Sequence, residues 1–295
     1  MKLVQALLIN ISLLFLALPC RAETPPQDPE QYRNWAVGIW SAMEKKQGTI
    51  ELPNGVATLR VPEQFFYLSP ADTRRVLEDL WGNPHGAETL GMLMPAGSNP
   101  FDDNSWAVTI AFDDDGYVSD EDAADINYTD LLADMQSDTK AANAERKKAG
   151  YPPIALIGWA APPHYDKASH KLYWAKELQF GDDPGHTLNY NIRMLGRKGV
   201  LVLNFIAGMS QKPIIEANLD KVMAIADFNQ GHRYDEFNPS VDKVAAYGIG
   251  GLIAGKVLAK AGLFAGALLF LKKFAVLGLA ALVGLYKVIF KRKEA

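Results

Sequence analysis

The chain has 295 residues, 48% of them hydrophobic, with one cysteine and a net charge of −4, so it has no disulfide framework. Residues 23–240 carry 19 basic and 32 acidic side chains, whereas residues 241–295 carry nine basic and two acidic ones. The acidic excess of the longer region argues against nucleic-acid binding, because phosphates are neutralised by Lys and Arg. It leaves open a cationic partner or divalent cations.

The first 22 residues have the pattern of a secretory signal peptide. Lys2 precedes an apolar run that ends at Leu18, and small residues stand before a cleavage point after Ala22. The alternatives are an uncleaved membrane anchor, for which the run is short, and lipidation of Cys20. Cleavage after Ala22 removes Cys20, and the mature chain then has no thiol for a disulfide, a metal or a covalent intermediate.

The exported region, 23–240, begins with helices and short strands. A helix starts at Asp28-Pro29 and ends near Gly48, because aspartate caps a helix and proline fits its first turn. An Asn54-Gly55 pair between β-rich runs predicts a hairpin. The predicted elements up to residue 149 are strands at 49–52, 56–61 and 65–68, a helix from Ser69 to Gly82, strands at 90–94 and 106–112, a turn at 113–116, and a helix from Thr129 to Ala149.

The remainder of this region is predicted as four sequential strands and a helix. The strands cover 154–159, 171–178, 186–195 and 200–206, a helix follows near 214–225, and residues 227–241 form a link. Short turns join every clear strand pair, which predicts an α+β fold with an antiparallel sheet flanked by helices. The order of elements is similar to the Mog1/PsbP-like sandwich.

Residues 241–295 are predicted to anchor the chain in a membrane and end in a basic tail. The cleanest span is 274–290, while 248–271 is either an amphipathic helix or a second span. With an exported domain, a single C-terminal span places the basic tail in the cytoplasm, as the positive-inside rule requires. The lysines and arginine assigned to the membrane boundary are Lys272, Lys273, Lys287, Lys291, Arg292 and Lys293. Small-residue spacings that permit self-association are Gly251/Gly255 and Gly262/Gly266.

The sequence contains only weak candidates for a chemical motif. No nucleotide-binding glycine loop, nucleophile elbow or metalloprotease histidine pair is present, so no cofactor is predicted. The acidic turn resembles part of a calcium loop but lacks its final glutamate. Its candidate ligands are Asp113, Asp115, Asp120 and Asp122. His164 and His170 bracket one loop beside Asp166, too few ligands for a zinc site.

Two further patterns stay open as functional patches. Many carboxylates are available for a glycosidase-like acid/base pair, although nothing in the sequence selects two of them. Asn189, Asn191 and Arg193 alternate along one strand, so they share a sheet face, with Arg197 and Lys198 close by. That face is either a polar ligand patch or an ordinary exposed surface.

Three long segments carry a resemblance to a known family. They begin GTIELPNGVATLRV at Gly48, WAVTIAFDDDGYVSDEDA at Trp106 and GYPPIALIGWAAPPHYDKASH at Gly150, and the Gly/Ala/Leu-rich C-terminus completes the pattern. Together they resemble the bacterial membrane-anchored proteins called domain of unknown function 2167 (DUF2167). The resemblance implies an envelope protein with its main domain in the periplasm and its anchor in the inner membrane. It brings no activity, cofactor or catalytic residue.

These observations favour a non-enzymatic accessory domain that binds an envelope protein. The lipid bilayer is the second predicted partner, through the C-terminal anchor. The alternatives are an envelope hydrolase that uses a carboxylate pair and a calcium-responsive module. Whether the chain is an enzyme is left open by the sequence.

Overall fold

The structure is a computed structural model that describes residues 26–255, apart from 27, 84–85, 87 and 103–104. The chain divides between Ser41 and Ala42 into two compact units. The first unit contains all of helix α1 (Pro29–Ala42) except its last residue. The Asp28 carboxylate caps this helix by accepting the backbone N–H groups of Glu30 and Gln31. The predicted start of this helix is confirmed, but the helix ends at Ala42 rather than near Gly48.

A small antiparallel sheet opens the second unit. Its strands are β1 (Gly48–Glu51), β2 (Ala57–Val61) and β10 (Ala226–Phe228), in the order β1-β2-β10. The predicted hairpin is confirmed: Gly55 has φ 69°, and its N–H donates to the Leu52 carbonyl at 2.8 Å. Strand β10 is not predicted from the sequence, because three residues are too short to show an alternating pattern.

The larger sheet has seven antiparallel strands in the order β3-β4-β5-β9-β8-β7-β6. The four sequential strands predicted after residue 150 form its β6 to β9 half, with β9 at the centre of the sheet. The strands are β3 (Phe65–Leu68), β4 (Gly91–Pro95), β5 (Ala107–Asp113), β6 (Ile154–Asp166), β7 (Lys171–Phe180), β8 (Thr187–Leu195) and β9 (Val200–Gly208). Strand β6 is longer than predicted, since three bulges carry it through Pro162 and Pro163.

In the described part of the second unit, four α-helices lie around these sheets. Helix α2 (Pro70–Arg74) is capped by the Ser69 hydroxyl and continues as a π-helix over Arg75–Leu80, where a regular α-helix was predicted. Helix α3 (Tyr128–Lys148) is capped by Asn127 rather than Thr129, because the Asn127 side chain accepts the N–H groups of Thr129 and Asp130. Helices α4 (Lys212–Ile225) and α5 (Ile249–Ala254) follow the sheet in the chain.

Each face of the large sheet has its own hydrophobic core. The first core joins one face to the small sheet and α4, through residues such as Phe205, Leu59 and Val222. The second core joins the opposite face to α3, α5 and the loops before them, through residues such as Trp174 and Ile253. The α+β class with antiparallel sheets flanked by helices is therefore confirmed.

The chain after β10 packs against the second core. Tyr117 forms a parallel bridge with Val244, and Ile249, Leu252 and Ile253 are at most 6% exposed. Residues 241–254, which the sequence analysis places in the anchor segment, thus belong to the folded unit. Gly255 lies beyond the end of α5 with φ 89°, so Gly251 and Gly255 do not share a helix face.

The remaining terminal predictions fall outside the described residues. These are the 1–22 signal, the 274–290 span with most of 248–271, Gly262, Gly266 and the six basic residues from Lys272 to Lys293. Among the residues that are described, no helix combines the length and apolar character needed to span a bilayer.

Candidate functional site

A cavity of about 770 Å³ opens at the tip of the β6–β7 hairpin. The hairpin tip, the outer side of β2, the end of β8 and the loop after β10 surround it. Its lining combines apolar side chains with both signs of charge. The lining residues include Thr58, Arg60, Ser169, His170, Lys171, Met194, Phe228, Gln230, Arg233, Tyr234 and Asp235.

Internal hydrogen bonds hold one wall of this cavity in place. Arg60 forms an ion pair with Asp227 across the β2–β10 ladder. The Thr58 hydroxyl donates to Asn229 Oδ1 at 2.7 Å, and Asn229 Nδ2 donates to the Gly55 carbonyl at 2.9 Å. The wall is therefore built by residues that are far apart in sequence and that the pairing of β2 with β10 brings together.

A hydrogen-bonded relay lies beside the cavity. The Tyr165 hydroxyl donates to Asp120 Oδ2 at 2.8 Å, and Tyr165 Oη lies 3.2 Å from His170 Nδ1. Burial and the hydrogen bond to Asp120 raise the pKa of Tyr165 well above its usual value, so the phenol keeps its proton. Because that proton is donated to Asp120, the Tyr165 oxygen can accept a hydrogen bond, and His170 Nδ1 is placed to donate it.

The backbone at His170 has an uncommon conformation. His170 has φ 51°, and no other non-glycine residue in the described part of the chain has a positive φ. The turn before it is tied by Asp166, which accepts the Ala168 N–H at 2.9 Å and the Ser169 hydroxyl at 2.6 Å. These hydrogen bonds lower the pKa of Asp166. The His170 ring packs on Tyr234 at 4.1 Å between centroids, so turn and ring contact together fix the histidine at the cavity.

The structure does not gather the four calcium candidates around one point. Asp122 accepts the backbone N–H groups of Ile249 and Gly250. Asp120 accepts the hydroxyl proton of Tyr165, and Asp115 accepts that of Tyr247 at 2.8 Å. Asp113 is the last residue of β5. No group of three or more His, Cys, Asp or Glu side chains within the described ranges is placed to hold a metal ion. At least three of these carboxylates therefore connect distant segments of the fold.

The histidine pair bracketing the hairpin loop is also separated. His164 packs against Tyr173 at 5.0 Å between ring centroids, whereas His170 contacts Tyr165 and Tyr234. The relay could not be found from sequence, because Asp120 and Tyr165 are 45 residues apart and only the fold brings them together.

The predicted polar face on β8 exists. Asn189, Asn191 and Arg193 point to the face of the large sheet that carries the second core, beside Lys176 of β7. Arg197 does not join them, because it forms a two-bond ion pair with Asp242 at 2.7 and 3.2 Å. That pairing lowers the pKa of Asp242 and fastens the 238–242 loop to the β8–β9 turn.

Comparison with known proteins yields one family and one solved structure of low similarity. No curated protein matches the sequence. The solution structure of cyanobacterial PsbP (CyanoP) from Synechocystis sp. PCC 6803 has 11% sequence identity, covers 63% of this chain and 92% of its own, and superposes with a TM-score of 0.33. A TM-score of that size assigns neither fold nor function to this chain. The family model described as Protein of unknown function (DUF2167) matches residues 44–283, so the chain belongs to this family.

Proposed function

We propose that this protein is an exported accessory domain, anchored in the inner membrane by one C-terminal span, that binds an envelope protein from the periplasmic side. The signal-like 1–22 segment and the apolar, basic-ended C-terminus support the topology. The net acidity of residues 23–240 supports a protein partner over a nucleic acid or an anionic membrane surface.

The observation that carries the binding role is the cavity at the β6–β7 tip. Its volume is in the range of ligand-binding clefts, about 300–1,000 Å³, and it offers Arg233, Asp235 and Gln230 beside the apolar Met194 and Phe228. The side chains of Gln230 and Asp235 form no hydrogen bond or ion pair with other described residues. A segment of a partner protein with mixed polar and apolar side chains matches this lining.

Site-specific photocrosslinking in living cells tests this role. A photoreactive residue replaces Ala168, which is exposed at the cavity rim, or Ala141, an exposed residue of α3 that serves as the control. We expect one defined envelope protein to be captured at 168 and not at 141, and Asp235→Lys to abolish the adduct. Equal capture at both positions, or capture that Asp235→Lys leaves unchanged, would overturn the proposal.

Protease protection tests the topology separately. In spheroplasts of a Gram-negative host, we expect external protease to digest the main domain and to leave a tag fused after Ala295 intact. Loss of both would contradict a single C-terminal span, because the tag would then lie outside the cytoplasm.

The relay at His170 favours a second candidate function, acid–base catalysis in the same cavity. A histidine held in one tautomer by a Tyr–Asp pair has the general-base arrangement of hydrolases, and His170 lines the cavity. Panels of ester, glycoside and phosphate substrates would reveal it. Turnover lost in both His170→Ala and Tyr165→Phe supports this candidate, and turnover that persists in both contradicts it.

A further inference from the structure

A second polar surface lies on the large sheet, away from the tip cavity. It is built by three neighbouring strands, β7, β8 and β9, whose register places Lys176 beside Asn189, and Trp174 and Asn204 on either side of Asn191. We call it the sheet-face patch. Its members are Trp174, Lys176, Asn189, Asn191, Arg193 and Asn204.

Arg193 is the centre of this patch and lacks a bonded counter-ion. Its Nη1 donates to the Ile192 carbonyl at 3.0 Å and to Asn204 Oδ1 at 2.9 Å, while its Cζ lies 5.1 Å from the centroid of the Trp174 ring. Burial lowers the pKa of Arg193 to about 10, and the charge of Asp113 offsets part of that effect. A guanidinium has five N–H donors, so most of them remain available in this arrangement.

Lys176 adds a second positive charge with no partner. Its ammonium forms no hydrogen bond and no ion pair with any residue that the structure describes, and the side chain is partly buried. Burial, with a smaller contribution from the charge of Arg193, lowers the pKa of Lys176 to about 8. At neutral pH both groups are therefore cationic and lie on one face, where the charge of Asp113 acts on Arg193 but no described carboxylate forms an ion pair with either group.

The rest of the patch supplies neutral polar atoms. Asn191, 3% exposed, donates through Nδ2 to the backbone and side-chain oxygens of Asn189 at 3.0 Å. Trp174 Nε1 is buried and has no hydrogen-bond partner among the described residues. Buried polar groups are ordinarily paired, and two partly buried cations that form no ion pair with a described residue are costly, so the patch has the composition of a site whose ligand brings negative charge.

We propose that the sheet-face patch binds a phosphate group. Arg193 and Lys176 together carry two positive charges, which match a doubly charged phosphate or phosphate monoester, and arginine is suited to phosphate oxygens by the fork of its donors. The same chemistry is present in free phosphate, in soluble phosphate esters and in the headgroup of phosphatidic acid. The site is independent of the partner-binding role proposed for the tip cavity.

Thermal unfolding of the purified full-length protein in detergent tests the site, with inorganic phosphate as the probe and potassium chloride at equal ionic strength as the reference. We expect phosphate to raise the melting temperature of the wild type, because a ligand that binds only the folded state stabilises it. Lys176→Met should bind phosphate at least about tenfold more weakly by calorimetry. Lys140→Met, at an exposed position on α3, is the matched control and should retain the full response.

Two further ligands identify the source of the phosphate. Glycerol 3-phosphate and dihexanoyl phosphatidic acid carry the same group, so stronger binding of the second points to a lipid headgroup and equal binding to a soluble ester. Cooperative unfolding of Lys176→Met shows that this variant is folded, so its smaller stabilisation by phosphate then reflects loss of phosphate binding. No phosphate-induced stabilisation of the wild type, or the same stabilisation in wild type and Lys176→Met, would overturn the proposal.

Discussion

The two faces of the large sheet are built from the same strands but differ in chemistry. Toward α4 and the small sheet, Ile192, Leu203 and Phe205 are fully buried among other apolar side chains. On the opposite face their chain neighbours Arg193 and Asn204 form the sheet-face patch. Successive residues of a strand point to opposite faces, so each strand contributes to both surfaces at once. The first face is apolar and contributes mainly to stability, while the second face mixes core residues with polar and charged side chains.

The largest expected effect is a truncation on the first face. Phe205 is 0% exposed and contacts Trp106 and Tyr190 at 5.6 and 5.9 Å between ring centroids. Phe205→Ala should lower the free energy of unfolding by about 3–5 kcal/mol, because it removes apolar burial and leaves a cavity. Urea unfolding of residues 23–255 or of the full chain measures this. Asn189→Ala on the second face is the control and should cost about 1 kcal/mol or less.

The second prediction has the opposite sign and concerns an unpaired charge. Lys176→Met should raise the free energy of unfolding at pH 7 by about 1–3 kcal/mol, because it removes a partly buried cation that forms no ion pair with a described residue. Unfolding curves of wild type and variant at fixed ionic strength measure the difference. Lys140→Met, on the exposed side of α3, should change stability by less than about 0.5 kcal/mol.

The pH dependence of the Lys176 effect follows from its lowered pKa. The folded protein releases the lysine proton near pH 8, while the unfolded chain keeps it up to about pH 10.5. Between those values the unfolded state binds more protons, so wild-type stability rises with pH relative to Lys176→Met. Below pH 8 both states are protonated and the advantage of the variant is constant. An advantage that stays unchanged from pH 7 to pH 10.5 would contradict a buried, charged lysine.

A third prediction contrasts this lysine with a polar group on the same face that is paired. Tyr165→Phe keeps the ring and removes the hydroxyl shared by Asp120 and His170, so it should destabilise the fold by about 1–2 kcal/mol. The His170 proton should also no longer be fixed on Nδ1, and nitrogen-15 chemical shifts of the imidazole measure this change. If His170 keeps its proton on Nδ1 in the variant, the relay does not set the tautomer.

The sequence predicts the strands of this fold better than it predicts their surroundings. Alternating patterns locate most of β1 to β9 within a few residues, and the shared face of Asn189, Asn191 and Arg193 follows from the two-residue period alone. Trp174 and Lys176 were not assigned to that face, because their place beside β8 depends on the β7–β8 register. Local patterns do not specify register between strands, nor the relay that joins residues 120, 165 and 170.

The course of the chain after β10 was the least predictable part. Its Gly- and Ala-rich sequence is typical of a membrane helix, yet residues 244–254 fold onto the second core. Asp122, which the sequence offers as a candidate calcium ligand, accepts the N–H groups of Ile249 and Gly250 in this segment at 2.8 and 3.0 Å. The first N–H groups of a helix have no acceptor within the helix, so a carboxylate from a distant segment stabilises the helix start by accepting them.

The smallest predicted effect tests how residues 249–254 are held against the second core. Asp122→Ala leaves two backbone N–H groups at the start of α5 without their acceptor, so it should cost about 1 kcal/mol and speed hydrogen exchange in residues 249–254. Gly248→Ala should act through the same carboxylate, because a Cβ at 248 would overlap the Asp122 carboxyl group. The two substitutions should therefore be less than additive. Full additivity, with exchange in 249–254 unchanged by Asp122→Ala, would show that α5 is held by its apolar contacts alone.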